Sequence, residues 1–172
     1  MKKRNKFIKL LLDMGADPNI TNRVTDMPLI HATARSGNFE LLEILLKEEE
    51  INISLKDSKD RTVLQCLAQV RERKPGDKFI LENCFKVLLG KHSVMKMGID
   101  FRDVSGNTAL YIALQSGFRE RVKLLLIEGA DISVRGNVCQ VLLQTTLPIL
   151  EDILEHCFMS IDVPVNSIWK SG

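Results

Sequence analysis

The sequence predicts an all-α solenoid of stacked helix-turn-helix units, and three observations predict it. Apolar triplets recur along the chain as Leu10-Leu11-Leu12, Ile44-Leu45-Leu46, Val87-Leu88-Leu89 and Leu124-Leu125-Leu126, their last residues standing 34, 43 and 37 positions apart. Self-similarity near a period of about 33 residues marks units that cannot bury their apolar face alone and must stack to close a core. The first and last triplets share an ending, Gly15-Ala16-Asp17 and Gly129-Ala130-Asp131. With 45% hydrophobic and 27% charged residues in 172, the chain has the composition of a folded domain rather than a disordered one.

Taken in order, residues 1–22 read as a partial unit that begins at its second helix, where Phe7, Ile8 and the first triplet form one helical face. Residues 23–55 form the next unit. Its first helix follows Pro28-Leu29-Ile30-His31 and reverses at Gly37, and its second carries Leu41, Leu42 and the triplet. It ends in Lys47-Glu48-Glu49-Glu50 without glycine, so a less well-formed turn is expected there. Residues 56–101 form an expanded unit. Thr62 precedes its first helix, where a hydroxyl caps free amides. Against the period it is about nine residues too long around Arg71 to Lys78 and roughly four too long from Lys91 to Gly98. Both excesses are expected to be surface loops, the first turning at Pro75-Gly76.

Residues 102–133 form the most regular unit, capped by Thr108, reversed at Gly117 and closed at Gly129. Glycine adopts the left-handed conformation of such reversals at little cost. Residues 134–159 are expected to be a degenerate capping unit: a helix within Gly136 to Leu147, then a second from Pro148 with a stripe of Ile149, Leu150, Ile153, Leu154 and Cys157. The tail, 160–172, is expected to be extended or disordered unless Trp169 docks on the last helix.

The run from Asp103 through Gly106, Thr108, Leu110, Ala113 and Gly117 to Gly129-Ala130-Asp131 resembles the ankyrin repeat over its whole length. Pro28-Leu29-Ile30-His31 resembles that family's Thr-Pro-Leu-His box with proline in the threonine place, and Thr62-Val63-Leu64-Gln65 is a more divergent version. The resemblance implies structural roles for Pro28, His31, Gly37, Thr62, Thr108, Gly117 and Gly129, with His31 bonding one unit to its neighbour. It further implies a protein-binding module that contacts a protein partner of unknown identity through its turn tips and the exposed side of the first helices. The tip residues are Arg23, Thr25 and Asp26, then Lys56, Asp57, Lys59 and Asp60, then Arg102 and Asp103. Polar, mixed-charge tips suit a wet protein interface.

Leu147 to Cys157 is similar to the segment after the ankyrin array in insect-type ankyrin-rich transient receptor potential channels. That resemblance implies a regulatory region on the cytosolic side of the plasma membrane, attached to a channel region outside this chain. The alternatives are a free-standing cytoplasmic adaptor and the targeting part of a larger enzyme or ubiquitin-ligase adaptor.

Other function classes find little support. The 24 basic and 22 acidic residues give a net charge of +2, which offers no electrostatic basis for nucleic-acid binding, and 5% aromatic residues do not build stacking platforms. The apolar stretches fall far short of the ~20 residues of a membrane span, so no direct insertion is expected. The basic start, Met1 to Lys6, leads into an apolar run broken at Asp13, unlike a secretion signal. Cys66, Cys84, Cys139 and Cys157 form no CxxC pair, which suggests free thiols in a reducing compartment. No phosphate-cradling, nucleophile-elbow or zinc-hydrolase motif occurs, and Asp57 to Asp60 lacks the glycine and final glutamate of a calcium loop. The sequence therefore predicts no enzyme, no cofactor and no metal, with His92 solvent-exposed in an inserted loop.

Overall fold

The computed structural model describes residues 2–72, 76–95, 98–132, 149 and 151. The expected cap at 134–159, the tail and the Leu147 to Cys157 segment lie outside them except for Ile149 and Glu151, both helical. The described helices are α1 (Lys2–Asp13), α2 (Leu29–Ser36), α3 (Phe39–Lys47), α4 (Val63–Gln69), α5 (Asp77–Met95), α6 (Ala109–Ser116) and α7 (Arg119–Ile127). The described residues contain no strand, only an isolated antiparallel bridge between Thr21 and Pro28.

Two layers result. The short helices α2, α4 and α6 stack in one, while α1, α3, α5 and α7 stack in the other. The core lies between them. The triplet register fills it: Leu42, Phe85 and Val122 stand four before the triplet ends, and all three are fully buried. Leu45, Leu88 and Leu125 occupy the next inward position and are equally inaccessible. From the short-helix layer, Ala34, Ala68 and Ala113 are fully buried, and their size permits close approach of facing helices.

α1 differs from its counterparts. Phe7 is 61% exposed and Leu11 39% exposed, whereas the residues in their places on α3, Leu41 and Leu45, are buried. In α3 those positions pack toward α2; α1 has no such partner among the described helices. Its contact with α3 is held by Asn5, which is buried. Asn5 Nδ2 donates to Asn38 Oδ1 at 3.1 Å and to Glu40 Oε2 at 3.2 Å.

The helix ends follow from local chemistry. Thr62 accepts from the Gln65 amide and Gln65 Oε1 accepts from the Thr62 amide, a capping box. Thr108 accepts from the Tyr111 amide at 3.2 Å. α2 and α6 stop at Gly37 and Gly117, with φ of 67° and 72°. α4 has no such glycine; it runs into Val70 in extended conformation. Its last carbonyls are met from elsewhere: Arg121 Nη1 on α7 donates to Leu67 O at 2.9 Å and Ala68 O at 3.2 Å. A cation at a helix C-terminus is also favoured by the helix dipole.

The turn after α3, expected to be poorly formed without glycine, is instead well anchored. Ile51 and Ile53 are buried in it. Asn19 reaches across from the preceding turn, donating to Glu50 O at 2.9 Å and accepting from the Asn52 amide at 2.7 Å. Asp100, after α5, repeats the device two turns on, accepting from the Asp131 amide after α7 at 3.0 Å.

The expanded unit also differs from expectation. From Lys91 to Met95 the excess is not a loop: α5 continues through Gly90 to Met95, 19 residues against nine in α3 and α7. His92 therefore sits on a helix rather than in an inserted loop. Glycine inside a helix costs about 1 kcal/mol, and the stripe of Leu81, Cys84, Phe85, Leu88 and Leu89, all buried, offsets that. Likewise the excess near Pro75 becomes helix from Asp77 onward.

Candidate partner-binding surface

Each short helix is preceded by a hairpin tip built to one plan. In the second tip the Asp57 amide donates to Arg61 O at 3.0 Å, and in the third the Asp103 amide donates to Asn107 O at 3.0 Å. In the first, Asn22 N donates to Met27 O, so this tip is one residue longer. The opening side chain folds over its own turn each time: Asn22, Asp57 and Asp103 accept from the amides of Val24, Lys59 and Ser105 at 2.9 Å. A left-handed residue closes the turn, Asp26 at φ 48°, Asp60 at φ 57° and Gly106 at φ 78°. The second and third tips are joined edge to edge, the Val104 amide donating to Lys59 O at 3.2 Å.

This plan divides the sequence-predicted tip residues. Arg23, Thr25, Asp26, Lys56, Lys59, Asp60 and Arg102 are exposed. Asp57 is not: its side chain is 1% exposed and bonded to Arg61 at 2.6 Å and to two backbone amides. It is therefore a structural residue of the turn and presents no carboxylate to a partner. Asp103 is half-buried and spent in the same way on Ser105 and Asn107. Burial alone pushes the Asp57 carboxyl up, but hydrogen bonds from the Arg61 side chain and the Lys59 and Arg61 amides outweigh it and hold the group below its usual range. Removing these two from the outward set leaves Arg23, Lys56, Lys59 and Arg102 against Asp26 and Asp60. The tip face is basic, where the linear sequence looked balanced. Lys56 Nζ also lies 5.4 Å from the Phe101 ring centre.

Sequence reasoning passed over Val24 and Val104, 92% and 68% exposed at the first and third tips. An apolar side chain held in water on a closed turn was the available signal. The short helices, by contrast, offer less than expected. Residues 63–68 of α4 are all buried, and on α2 and α6 the exposed positions are Arg35, Ser36 and Gln115, with Leu29, Ala32, Tyr111 and Ser116 half-buried.

Two of the box residues bond one unit to the next. His31 is fully buried, and its Nε2 donates to Arg61 O at 2.8 Å. Gln65 fills the same place one unit on: Nε2 donates to Asn107 O at 2.7 Å while Oε1 accepts from the Thr62 amide. The comparison explains an irregularity. His31 Nδ1 is buried with no partner among the described residues, because Pro28, in the place of Thr62, has no N–H to give. Pro28 also leaves α2 without a side-chain cap. Pro28→Thr is therefore expected to stabilise the chain by about 1 kcal/mol in urea unfolding, a cap and a satisfied acceptor outweighing the lost rigidity of proline.

Burial lowers the His31 pKa below 6.5, outweighing the effect of its bond to Arg61 O. The unfolded chain therefore binds a proton that the folded chain refuses. Stability contributed by neutral His31 is expected to be complete above the unfolded value of 6.5 and to fall as pH drops below it toward the folded pKa. His31→Gln should flatten that part of a stability–pH profile, as Gln65 does the same work without titrating.

The described cysteines are ill suited to redox or electrophile sensing. Burial raises Cys66 to about 11 and Cys84 to about 12, so both stay protonated. Cys139 and Cys157 lie outside the described residues. Among the described residues no group of three or more His, Cys, Asp or Glu side chains could hold a metal, and no helix is long and apolar enough to cross a membrane.

Comparison with known proteins agrees with this architecture. The family profile "Ankyrin repeats (3 copies)" matches residues 1–83, and "Ankyrin repeat" matches residues 105–144. The chain is 26% identical over 159 residues to human "Transient receptor potential cation channel subfamily A member 1", covering 76% of this chain and 14% of that protein. It is 24% identical over 152 residues to "Ankyrin repeat and KH domain-containing protein mask-1" of Caenorhabditis elegans, covering 87% of this chain and 5% of the relative. The chain thus spans a small part of the length of either relative.

Proposed function

From the premise that the chain belongs to the ankyrin-repeat family, we propose that it is a non-catalytic interaction module whose hairpin tips engage an acidic surface on a partner protein. The observation that carries this reading is the row of exposed cations, Lys56 and Lys59 on one tip and Arg102 on the next, held in fixed register by the Lys59–Val104 backbone bond. Preorganised charge of one sign steers an oppositely charged partner and fixes its orientation. Val24 and Val104 supply apolar contact beside it. The double substitution Lys59→Glu with Arg102→Glu is expected to lower partner recovery in affinity capture about tenfold, about 1.4 kcal/mol. Thermal unfolding should be unchanged, because neither side chain is buried. Unaltered recovery would overturn the tip reading.

A second reading, a cytosolic regulatory part of an ankyrin-rich transient receptor potential channel, is favoured by the likeness to the human channel over 76% of this chain. The coding sequence downstream tests it. Six apolar segments of about 20 residues each would support the channel reading, and a stop codon ahead of any such segment would exclude it.

A further inference from the structure

We propose that a cleft between the start of α5 and the start of α7 recognises a single carboxylate side chain on a partner protein. The cleft encloses about 300 Å³ and is lined by Glu72, Lys78, Leu81, Phe118, Glu120 and Arg121, among others. It adjoins the C-terminal ends of α4 and α6. The eight residues of α6, about 12 Å of helix, separate that end from the basic tips, so this is a second surface and not an extension of the first.

Its chemistry comes from Arg121. That residue is 5% exposed. Glu72 and Glu82 of the same cleft act on its charge from a distance, but no carboxylate among the described residues lies within ion-pair distance of it. The guanidinium lies 4.0 Å from the Phe118 ring centre. Nη1 is committed to the ends of α4, at Leu67 O and Ala68 O. Nε and Nη2 have no protein acceptor among the described residues and, unlike His31 Nδ1, are not sealed away from solvent, so they are open to a guest from the cleft. A guanidinium holds a planar acceptor through just such a pair of adjacent donors. Burial lowers its pKa only to about 10, so it remains charged at neutral pH.

The second element is the nine-residue helix α7. In α3 the N-cap is Asn38, whose side chain accepts from the Leu41 amide at 3.4 Å. In α7 the same place holds Phe118, which gives no cap. The Glu120 amide of the first turn has no acceptor among the described residues. An uncapped helix start attracts negative charge, and here it borders the same cleft as the guanidinium.

The rim limits the guest to one negative charge. Lys78 and Glu82 face each other at 4.0 Å and largely cancel, while Glu72 and Glu120 are exposed and would repel a dianion. A monovalent carboxylate on a side chain long enough to enter fits this arrangement better than phosphate.

The test is a nuclear magnetic resonance titration of the full isotopically labelled chain. The probes are the blocked tripeptide acetyl-Ala-Glu-Ala-amide, its glutamine counterpart and inorganic phosphate. The glutamate peptide is expected to shift the Glu120 amide and the Arg121 Nε–H together and saturably, with the glutamine peptide leaving both in place. Phe118→Asn gives α7 the cap that α3 has. By the register of Asn38 and Leu41 that cap meets the Arg121 amide and puts a side-chain oxygen at the helix start, where the guest carboxylate would sit. It should preserve the fold while weakening the glutamate peptide about fivefold. The proposal is overturned if neither resonance moves, if glutamine and glutamate act alike, if phosphate binds more tightly, or if Phe118→Asn binds as well as the parent chain. Loss at the cleft with intact tip-dependent capture would leave the tip reading standing.

Discussion

Asp57→Ala is expected to lower the unfolding free energy by about 3–5 kcal/mol, the range for removing one partner of a buried charged pair. The Asp57 carboxylate, 1% exposed, accepts from the Arg61 guanidinium at 2.6 and 3.0 Å and from the Lys59 and Arg61 amides at 2.9 and 3.1 Å. Alanine strands all of these donors. The loss would spread, because Arg61 O is the acceptor for His31 Nε2, so the tip carries the bond between adjacent units. Asp57→Asn should recover part of the loss, keeping an acceptor for the amides but not the charge. The pH signature is specific as well. A carboxyl held below its unfolded value contributes stability that is complete above that value and lost as pH falls through the folded pKa. Asp57→Asn should therefore flatten the acid limb of the profile below about pH 4. Chemical denaturation at pH 7 and across the acid range measures both effects, and a cost below about 0.5 kcal/mol, the scale of an ordinary surface substitution, would mean that the turn does not depend on this carboxylate.

Asp57 also marks the limit of what the sequence disclosed about the site. Asp57-Ser58-Lys59-Asp60 reads identically whether its first carboxylate faces water or folds over the turn. Only the hairpin-closing bond from the Asp57 amide to Arg61 O turns it inward, and that geometry has no periodic signal. The exposed neighbours Arg23, Lys59 and Arg102 were legible because polar tip positions outside the helical stripe have nowhere else to go. The resulting basic balance was not, since it depends on subtracting the carboxylates used internally.

The fold was more legible than the site. Four recurring triplets place the second helices despite the expanded third unit, because residues four apart on a helix share a face and a stack needs that face repeated. Gly37 and Gly117 end α2 and α6 as glycine before a reversal should. Gly90 misled for the same reason: glycine normally follows a helix, yet here the chain beyond it continues the helix to Met95. The bond from His31 Nε2 to Arg61 O joins one unit to the next, but the orphaned Nδ1 emerges only when Pro28 is set beside Thr62 in space.

Arg121→Ala is expected to cost about 2–4 kcal/mol, although an arginine five residues before the end of a leucine triplet looks from sequence like a solvated position. Its counterparts at that register are Leu41 and Cys84, both buried, and the arginine is buried with them. Two contributions combine. Truncation leaves the Ala68 carbonyl without its side-chain donor and Leu67 O with only the Val70 amide at 3.3 Å, at the end of a helix that has no glycine to turn them toward water, at about 1–3 kcal/mol for an unsatisfied buried group. It also removes the stem that fills the space over Phe118. Arg121→Met separates the two, restoring volume but no donor, and should lie between the parent and alanine. Hydrogen exchange localises the effect: the amides of α4 and α7 should lose protection together, while those of α2 and α3 keep theirs. Equal loss throughout would assign Arg121 to general core packing, and no loss at α4 would remove its role as the cap of that helix.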